Sequence, residues 1–393
     1  MSSKPALRVF MMDLWATVPY YTAYLSRALE NEGVDVQVGS ITYYLDPQCF
    51  TSRGLKVDPG LMDVVGRFRL PKLPRRLLKF PEAMLNLAAL TARFAMRPPD
   101  VVHVQYLPML LRKLPLDLRF LEFLRSRGAR IVLTVHDLLP HDSGQRYRAT
   151  FLDLYRRADA LICHSDSVKA RLAAEFGVPE TKVSVIPHGP FFYDLPATGD
   201  DRTLAGLGLE RGGPMVLWQG IVFPYKGVDL LLAAWKLVEQ RVPKAVLVIA
   251  GTGAPELLEQ IRGQLAELGL KRVKTEFRFV STEELVALYR AADVVVYPYR
   301  AITTSGALAT GLALGKTIAA SDLPVFRELL RDGENALLTA PTDTDALGKA
   351  LVRLLEDPAL RERLAEQVRA MRFGDESWLQ IAERTRAVYA GLR

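Results

Sequence analysis

The stretch VVVYPYRAITTSGALATGLALGKTIAASD, from Val294 to Asp322, decides the fold. VVVYPY is a short apolar run rich in β-branched and aromatic residues, and it reads as a buried strand. TIAASD reads as a second strand, and the small-residue segment between them as a helix. Near-continuous apolar strands joined through a helix belong to a parallel sheet covered on both faces.

The same alternation runs outward through almost the whole chain. Before Gly189 the strand-like runs are LRVFMM, DVQVGSI, VVHVQY, IVLTVHD, ALICHS and VSVIPHG. The segment PFFYDLPATGDDRTLAGLGLERGGP then mixes proline, glycine and charge, and predicts a linker with at most one short helical turn. MVLWQG, AVLVIAG, TEFRFV, VVVYPY, TIAASD and ALLTAP form a second series. Two series predict two Rossmann-like α/β domains, 1–190 and 191–375, with parallel sheets facing across a cleft. The end, DESWLQIAERTRAVYAGLR, predicts an amphipathic helix over 376–393 that crosses back to the first domain.

The totals restrict the function classes. With 393 residues, 49% hydrophobic and 24% charged, the chain has an ordinary soluble composition and room for more than one core. Cys49 and Cys163 lie far apart without CxxC or Cys/His spacing, which argues against a disulfide framework or zinc site and for a reducing compartment. The start, MSSKPALRVFMMD, lacks the apolar stretch of a signal peptide, and no uncharged run approaches the ~20 residues that span a bilayer. A cytoplasmic protein is expected. The net charge of +7 permits an acidic partner: nucleotide, nucleic acid or anionic lipid.

Ligands of open α/β sheets bind outside the carboxyl ends of the strands. All five histidines, His103, His136, His141, His164 and His188, fall at or past strand ends in the first half. At least one is expected to be functional and the rest to be structural hydrogen-bonders. In RAITTSG, a helix starting near Ser305 would offer unpaired N–H groups to an anion, with Thr304 or Ser305 as cap and Gly306 allowing close approach. A plain N-cap on a tightly packed helix is the competing reading. In GIVFPYKGVDLLLAAW a strand ends at Gly220 and Lys226 precedes a helix, where a lysine meets a diphosphate or simply faces solvent. AGTGAPE lacks the third glycine of a dinucleotide fingerprint and reads as a turn.

Two further patterns imitate metal sites. Asp343-x-Asp345 stands where a helix begins and reads as a cap plus a dipole-favoured carboxylate. HDLLPHD has histidines five apart with a proline between them, which is not zincin spacing, so no metal is expected. The stretch GRFRLPKLPRRLLKFPEAML, Gly66–Leu85, interleaves Arg67, Arg69, Lys72, Arg75, Arg76 and Lys79 with leucine and phenylalanine. That density suits the headgroup zone of an anionic membrane, or a solvated face over a local core. No recognition motif accompanies the charge, so nucleic acid is not expected.

With these residues in view, the chain resembles the retaining glycosyltransferases of family four, which have the GT-B fold. WQGIVFPYKGVDLLLAAWK resembles the family's donor-lysine loop, and STEELVALYRAADVVVYPY its next strand–helix–strand. GLALGKTIAASDLPVFRELLRDGENALLTAPTD resembles the segment closing the nucleotide site, while TVHDLLPH, ADALICHS and KVSVIPHG occupy the usual places in the first half. The Ser-Gly pair, YKG and HD…PH are similar to an exopolysaccharide-assembly subgroup.

The resemblance implies transfer of a sugar from a UDP- or GDP-sugar, with retained configuration, to a glycan or lipid-linked acceptor. It implies His136 and Lys226 as the catalytic pair and a donor site of Gly220, Lys226, Val280 and Tyr299 with Thr304, Ser305, Gly306 and Glu328. Acceptor contacts would come from Tyr20, His103, Asp137 and His141. The family's two glutamates are replaced by Ile302 and Thr310, and its arginine by Ile221; Arg300 is the expected substitute cation. Its glycine-rich first turn is replaced by DLWATVPYY. No metal or other cofactor is expected, because N–H donors and a lysine aimed at the leaving diphosphate stabilise the transition state electrostatically. The remaining alternatives are a non-catalytic nucleotide-binding relative or partner subunit, and a hydrolase or epimerase of the same fold. A peripheral contact with the inner membrane face is expected through the basic stretch.

Overall fold

The computed structural model describes residues 6–68, 70–107, 109–110, 116–140, 144–195, 200–209 and 212–392. The chain divides into two compact units, Met1–His188 with Trp378–Arg393, and Gly189–Ser377.

The first unit holds β1 (Arg8–Asp13), β2 (Asp35–Ser40), β3 (Val101–Tyr106), β4 (Arg130–Thr134), β5 (Ala160–Cys163) and β6 (Val183–Val185). All pair in parallel, in the order β2-β1-β3-β4-β5-β6. Phe10, Met12, Val102, Val104, Ile131 and Leu161 fill the core, each large side chain contributing about 1.5–3 kcal/mol by leaving water. Strand order reverses between β1 and β3, which makes their carboxyl ends the natural ligand crevice. The turn leaving β1 is held by Asp13, whose carboxylate accepts from Thr17 N (2.8 Å), Val18 N (3.0 Å) and Thr22 Oγ1 (3.3 Å). It does the work of a cap for the helix Pro19–Asn31, whose own N-cap, Val18, has no side-chain acceptor. On the helix Asp375–Gly391, Trp378 stacks on Tyr24 with centroids 5.4 Å apart, and Tyr389 reaches His103.

The second unit holds β7 (Met215–Gln219), β8 (Val246–Ala250), β9 (Val273–Glu276), β10 (Val294–Tyr297), β11 (Thr317–Ser321) and β12 (Leu337–Thr339). The order β12-β11-β10-β7-β8-β9 is wholly parallel and reverses between β10 and β7. Trp218, Trp235, Leu231, Ile249 and Val296 are buried at its core.

Two expectations need correcting. The strand expected over TEFRFV lies earlier, at Val273–Glu276, as a half-buried edge strand. Just beyond it Arg278 N donates back to Glu276 O (2.9 Å) in a turn that ends the strand, and the Arg278 guanidinium bonds Glu284 (2.9 and 2.8 Å), the residue that completes the capping box of the helix Thr282–Ala291. The segment expected as a linker contains a seven-residue helix, Asp200–Gly206, which packs on Thr282–Ala291 and pairs Asp200 with Arg290 (3.4 Å).

Candidate functional site

In the second unit the loops after β7 and β10 flank the point where strand order reverses. They are locked together by backbone. Gly227 has φ +65, and a Cβ there would lie 1.9 Å from the Pro298 carbonyl, so only glycine fits. Arg300 N donates to Tyr225 O (2.7 Å) across the same contact. Lys226 carries its ammonium 5.8 Å from the ring centroid of the buried Tyr299. It also covers Gly220, where φ is +147 and a Cβ would come within 2.7 Å of Lys226 Nζ.

Arg300 does not serve as an open cation beside Lys226. Its guanidinium makes two bonds to Asp229 (2.9 and 2.6 Å) and one to Pro224 O (2.6 Å). Burial pushes the Asp229 carboxyl up, but the Arg300 hydrogen bonds outweigh it and hold it below the usual range. Asp229 lies in the first turn of the helix Val228–Arg241, within reach of the neighbouring loop, and the pair is a brace.

Ser305 caps the helix Gly306–Ala313, its Oγ accepting from Leu308 N (3.1 Å). Helix geometry leaves the Gly306 and Ala307 N–H groups without intrahelical acceptors. Beneath them, Tyr297 and Tyr289 donate to Ala307 O (2.7 and 3.2 Å), fixing the direction of the first turn. Thr310, at the place of a family glutamate, is buried and donates to Gly306 O (2.9 Å). Thr304 is half-buried, Val280 is buried just before the Ser281 cap, and Glu328 is exposed after the helix Pro324–Arg327. Ile221 is exposed.

The first unit brings His136, His164 and His188 around Tyr21, with ring centroids 4.8, 5.3 and 5.0 Å from its ring. His136 Nε2 lies 3.0 Å from Gln105 Oε1, an acceptor, which sets the Nε2–H tautomer. Burial, reinforced by the neighbouring histidines, holds its pKa well below the ordinary value, so the ring is neutral. Burial likewise takes His164 down to about 4, and its Nδ1 donates to Ile186 O (3.0 Å). Burial lifts Asp13 to about 6 against its three hydrogen bonds. A cavity of about 260 Å³ lies beside His136 and Asp137, with Thr17 and Val18 of the β1 turn also lining it.

His103, expected at the acceptor, is wholly enclosed. Both ring nitrogens are taken, by Thr134 Oγ1 (2.7 Å) and Tyr389 OH (2.6 Å), so it ties the C-terminal helix to the sheet and does not face a ligand. Tyr20 is half-buried and donates to Asp46 (2.9 Å). His141 and Arg69 lie outside the described residues, as does the side chain of Lys72.

On the helix Lys72–Met96 the inner face packs Ala83, Leu87, Leu90 and Phe94 into the core, and its buried Glu82 accepts from Val64 N and Val65 N (2.9 and 3.0 Å). Leu73, Leu77, Leu78 and Leu85 face outward, with Arg76 among them and Phe68 just before. Arg75 and Lys79 turn inward, over Tyr44 (3.8 Å) and Trp15 (5.3 Å), while Arg67 pairs with Asp63 (3.2 Å). Among the described residues no helix is long and apolar enough to cross a membrane. Asp343 accepts from Ala346 N (2.8 Å) as a helix cap and Asp345 pairs with Lys349 (2.6 Å). No three His, Cys, Asp or Glu side chains among the described residues converge as metal ligands.

Sequence reasoning passed over Asp13, Asp229 and the two tyrosines. Asp13 left a signal, a charged residue ending an apolar strand; the tyrosine hydroxyls left none.

Comparison with known proteins fits this arrangement. The family described as glycosyltransferase family 4 matches residues 18–189, and the family described as glycosyl transferases group 1 matches residues 201–371. The chain belongs to the family-four glycosyltransferases. It is 26% identical over 256 residues to an uncharacterized glycosyltransferase of Methanocaldococcus jannaschii, covering 64% of this chain and 65% of that protein. It is 35% identical over 188 residues to the phosphatidyl-myo-inositol mannosyltransferase of Mycobacterium leprae, covering 46% and 48%. The chain thus matches less than two thirds of these relatives' lengths. Among solved structures, HepE of Anabaena in complex with UDP and glucose superposes with TM-score 0.75 at 18% identity, covering 97% of this chain and 100% of that one. Sucrose-phosphate synthase of Thermosynechococcus elongatus gives 0.73 at 21%, covering 98% and 100%. At these identities the likeness is of fold, and the two parallel α/β units are those of GT-B.

Proposed function

We propose that the family-four chain is a retaining glycosyltransferase that moves a sugar from a UDP- or GDP-sugar to a glycan or lipid-linked acceptor in polysaccharide synthesis. The carrying observation is the pair of backbone-locked loops at the second unit's switch point, which present Lys226 and the capped helix Gly306–Ala313. Breaking the sugar–phosphate bond leaves negative charge on the diphosphate. Lys226 and the Gly306 and Ala307 N–H groups would meet that charge, and one such donor is typically worth about 10²–10³ in rate. With the leaving group held this way, the proposal assigns no step to a metal. The diphosphate takes the acceptor's proton as the new bond forms on the face it leaves. Neutral His136 hydrogen-bonds the transferred sugar or the acceptor.

UDP and UDP-glucose complexes of HepE favour a uridine donor here too. The exopolysaccharide role, the acceptor-binding first unit and the donor-binding second unit belong to the same proposal. So does contact with an anionic membrane, supported by the outward leucines and Arg76 of the helix Lys72–Met96. A second reading, a nucleotide-binding relative without turnover, is favoured by Ile302 and Thr310 at the glutamate positions, the latter engaged with Gly306 O. The test is incubation with UDP- and GDP-sugars and glycan or polyprenyl-linked acceptors in EDTA, with the product anomer read by NMR. Transfer with retention is expected; saturable nucleotide binding without transfer to any acceptor selects the second reading.

A further inference from the structure

The cavity beside His136 has a composition that a carbohydrate ring does not explain. Its walls are Leu107, Leu110, Leu133, Val135, Phe151 and Leu154, from the ends of β3 and β4 and the helix Gly144–Arg157. Three of the polar side chains on its lining are already engaged within the fold, Gln105 with His136 and Met11, Thr134 with His103, and Tyr155 with Leu138 O; the others are Thr17, Tyr106, His136 and Asp137. A sugar buried here would leave most hydroxyls without partners, which opposes binding. An apolar group loses nothing and gains the transfer from water. Size is adequate: dry apolar cavities of about 150 Å³ take up benzene, and this one measures about 260 Å³. It lies at the switch point between β1 and β3, where ligands of such sheets bind.

We infer that this cavity receives the apolar end of an amphiphilic acceptor, a hydrocarbon chain or aryl ring, and so holds its polar head against His136 and Asp137. The inference rests on the transferase reading, which supplies the reacting head. It accounts for two features together: a lining of leucine, valine and phenylalanine, and His136 and Asp137 beside it.

The experiment is calorimetric binding of methyl, butyl, hexyl and octyl β-D-glucopyranosides, below their micellar concentrations, with phenyl β-D-glucopyranoside as the aryl arm. Affinity should rise about fourfold for each added methylene until the cavity is full. Phenyl binding tighter than hexyl assigns a ring; hexyl tighter than phenyl assigns a chain. Leu110→Trp should flatten the series while UDP binding is kept. Phe151→Ala, which enlarges the cavity and covers the case where the tryptophan variant does not fold, should move the plateau to longer chains. Met96→Ser, exposed at the end of the outer helix, should leave the chain-length series unchanged. Equal affinity for methyl and octyl glucosides, or a series unmoved by both cavity variants, would overturn the inference. Loss of sugar transfer with the chain-length series intact counts against the transferase reading alone.

Discussion

Lys226 and Arg300 are both cations at one switch point, yet they act differently. Arg300 is braced by Asp229 and Pro224 O, so its removal is expected to act through the loop. Arg300→Ala and Asp229→Ala should weaken UDP binding to the same modest degree, within about tenfold. The two changes should be strongly non-additive in stability, with a coupling near 1 kcal/mol for a half-exposed bidentate pair. A large loss for Arg300→Ala with none for Asp229→Ala would return Arg300 to the phosphate. Lys226 and Ser305 were legible in the sequence because a lysine before a helix and a serine at its start have local signatures. The Arg300–Asp229 pair was not, since it joins positions 71 residues apart through two loops.

Among the elements, the strands were the most legible. Apolar runs bounded by turn residues marked eleven of the twelve positions, and the edge strand β9 was misplaced because its sequence, VKTE, carries a single apolar residue. The basic helix was half legible. Its composition announced a cationic amphipath, but not that Arg75 and Lys79 fold back over Tyr44 and Trp15. The outward face is therefore chiefly leucine with Arg76. Flotation with anionic liposomes should accordingly fall several-fold for Leu73→Ser/Leu77→Ser and less for Arg76→Ala. Flotation that depends on neither, or that ignores anionic lipid, would exclude this face.

At the scale of the molecule, all five histidines belong to the first 188 residues, and their placement makes that unit acid-sensitive. Burial takes His103 from 6.5 to about 3. The native state refuses a proton that the unfolded chain accepts, so its contribution is complete above pH 6.5 and is lost as pH falls towards 3. Asp13, lifted by burial to about 6, works in the opposite sense between 3.8 and 6. The difference measurement isolates His103: in His103→Gln the slope of unfolding free energy against pH between 6 and 4 should drop by about 1.4 kcal/mol per pH unit. An unchanged slope would mean that the ring is protonated in the fold. The sequence placed His103 at a strand end but not inside the sheet's cover, because its partner Tyr389 arrives from the far end of the chain.

The central claim is that the second unit holds a nucleotide diphosphate through Lys226 and the helix that Ser305 caps. The direct measurement is calorimetric titration of the full chain with UDP and GDP, for the native protein and for Lys226→Ala. Saturable one-site binding of one nucleotide, weakened at least tenfold in the variant, is the predicted result, with turnover lowered at least about a hundredfold. Binding of neither nucleotide, or equal binding by native protein and variant, would contradict it.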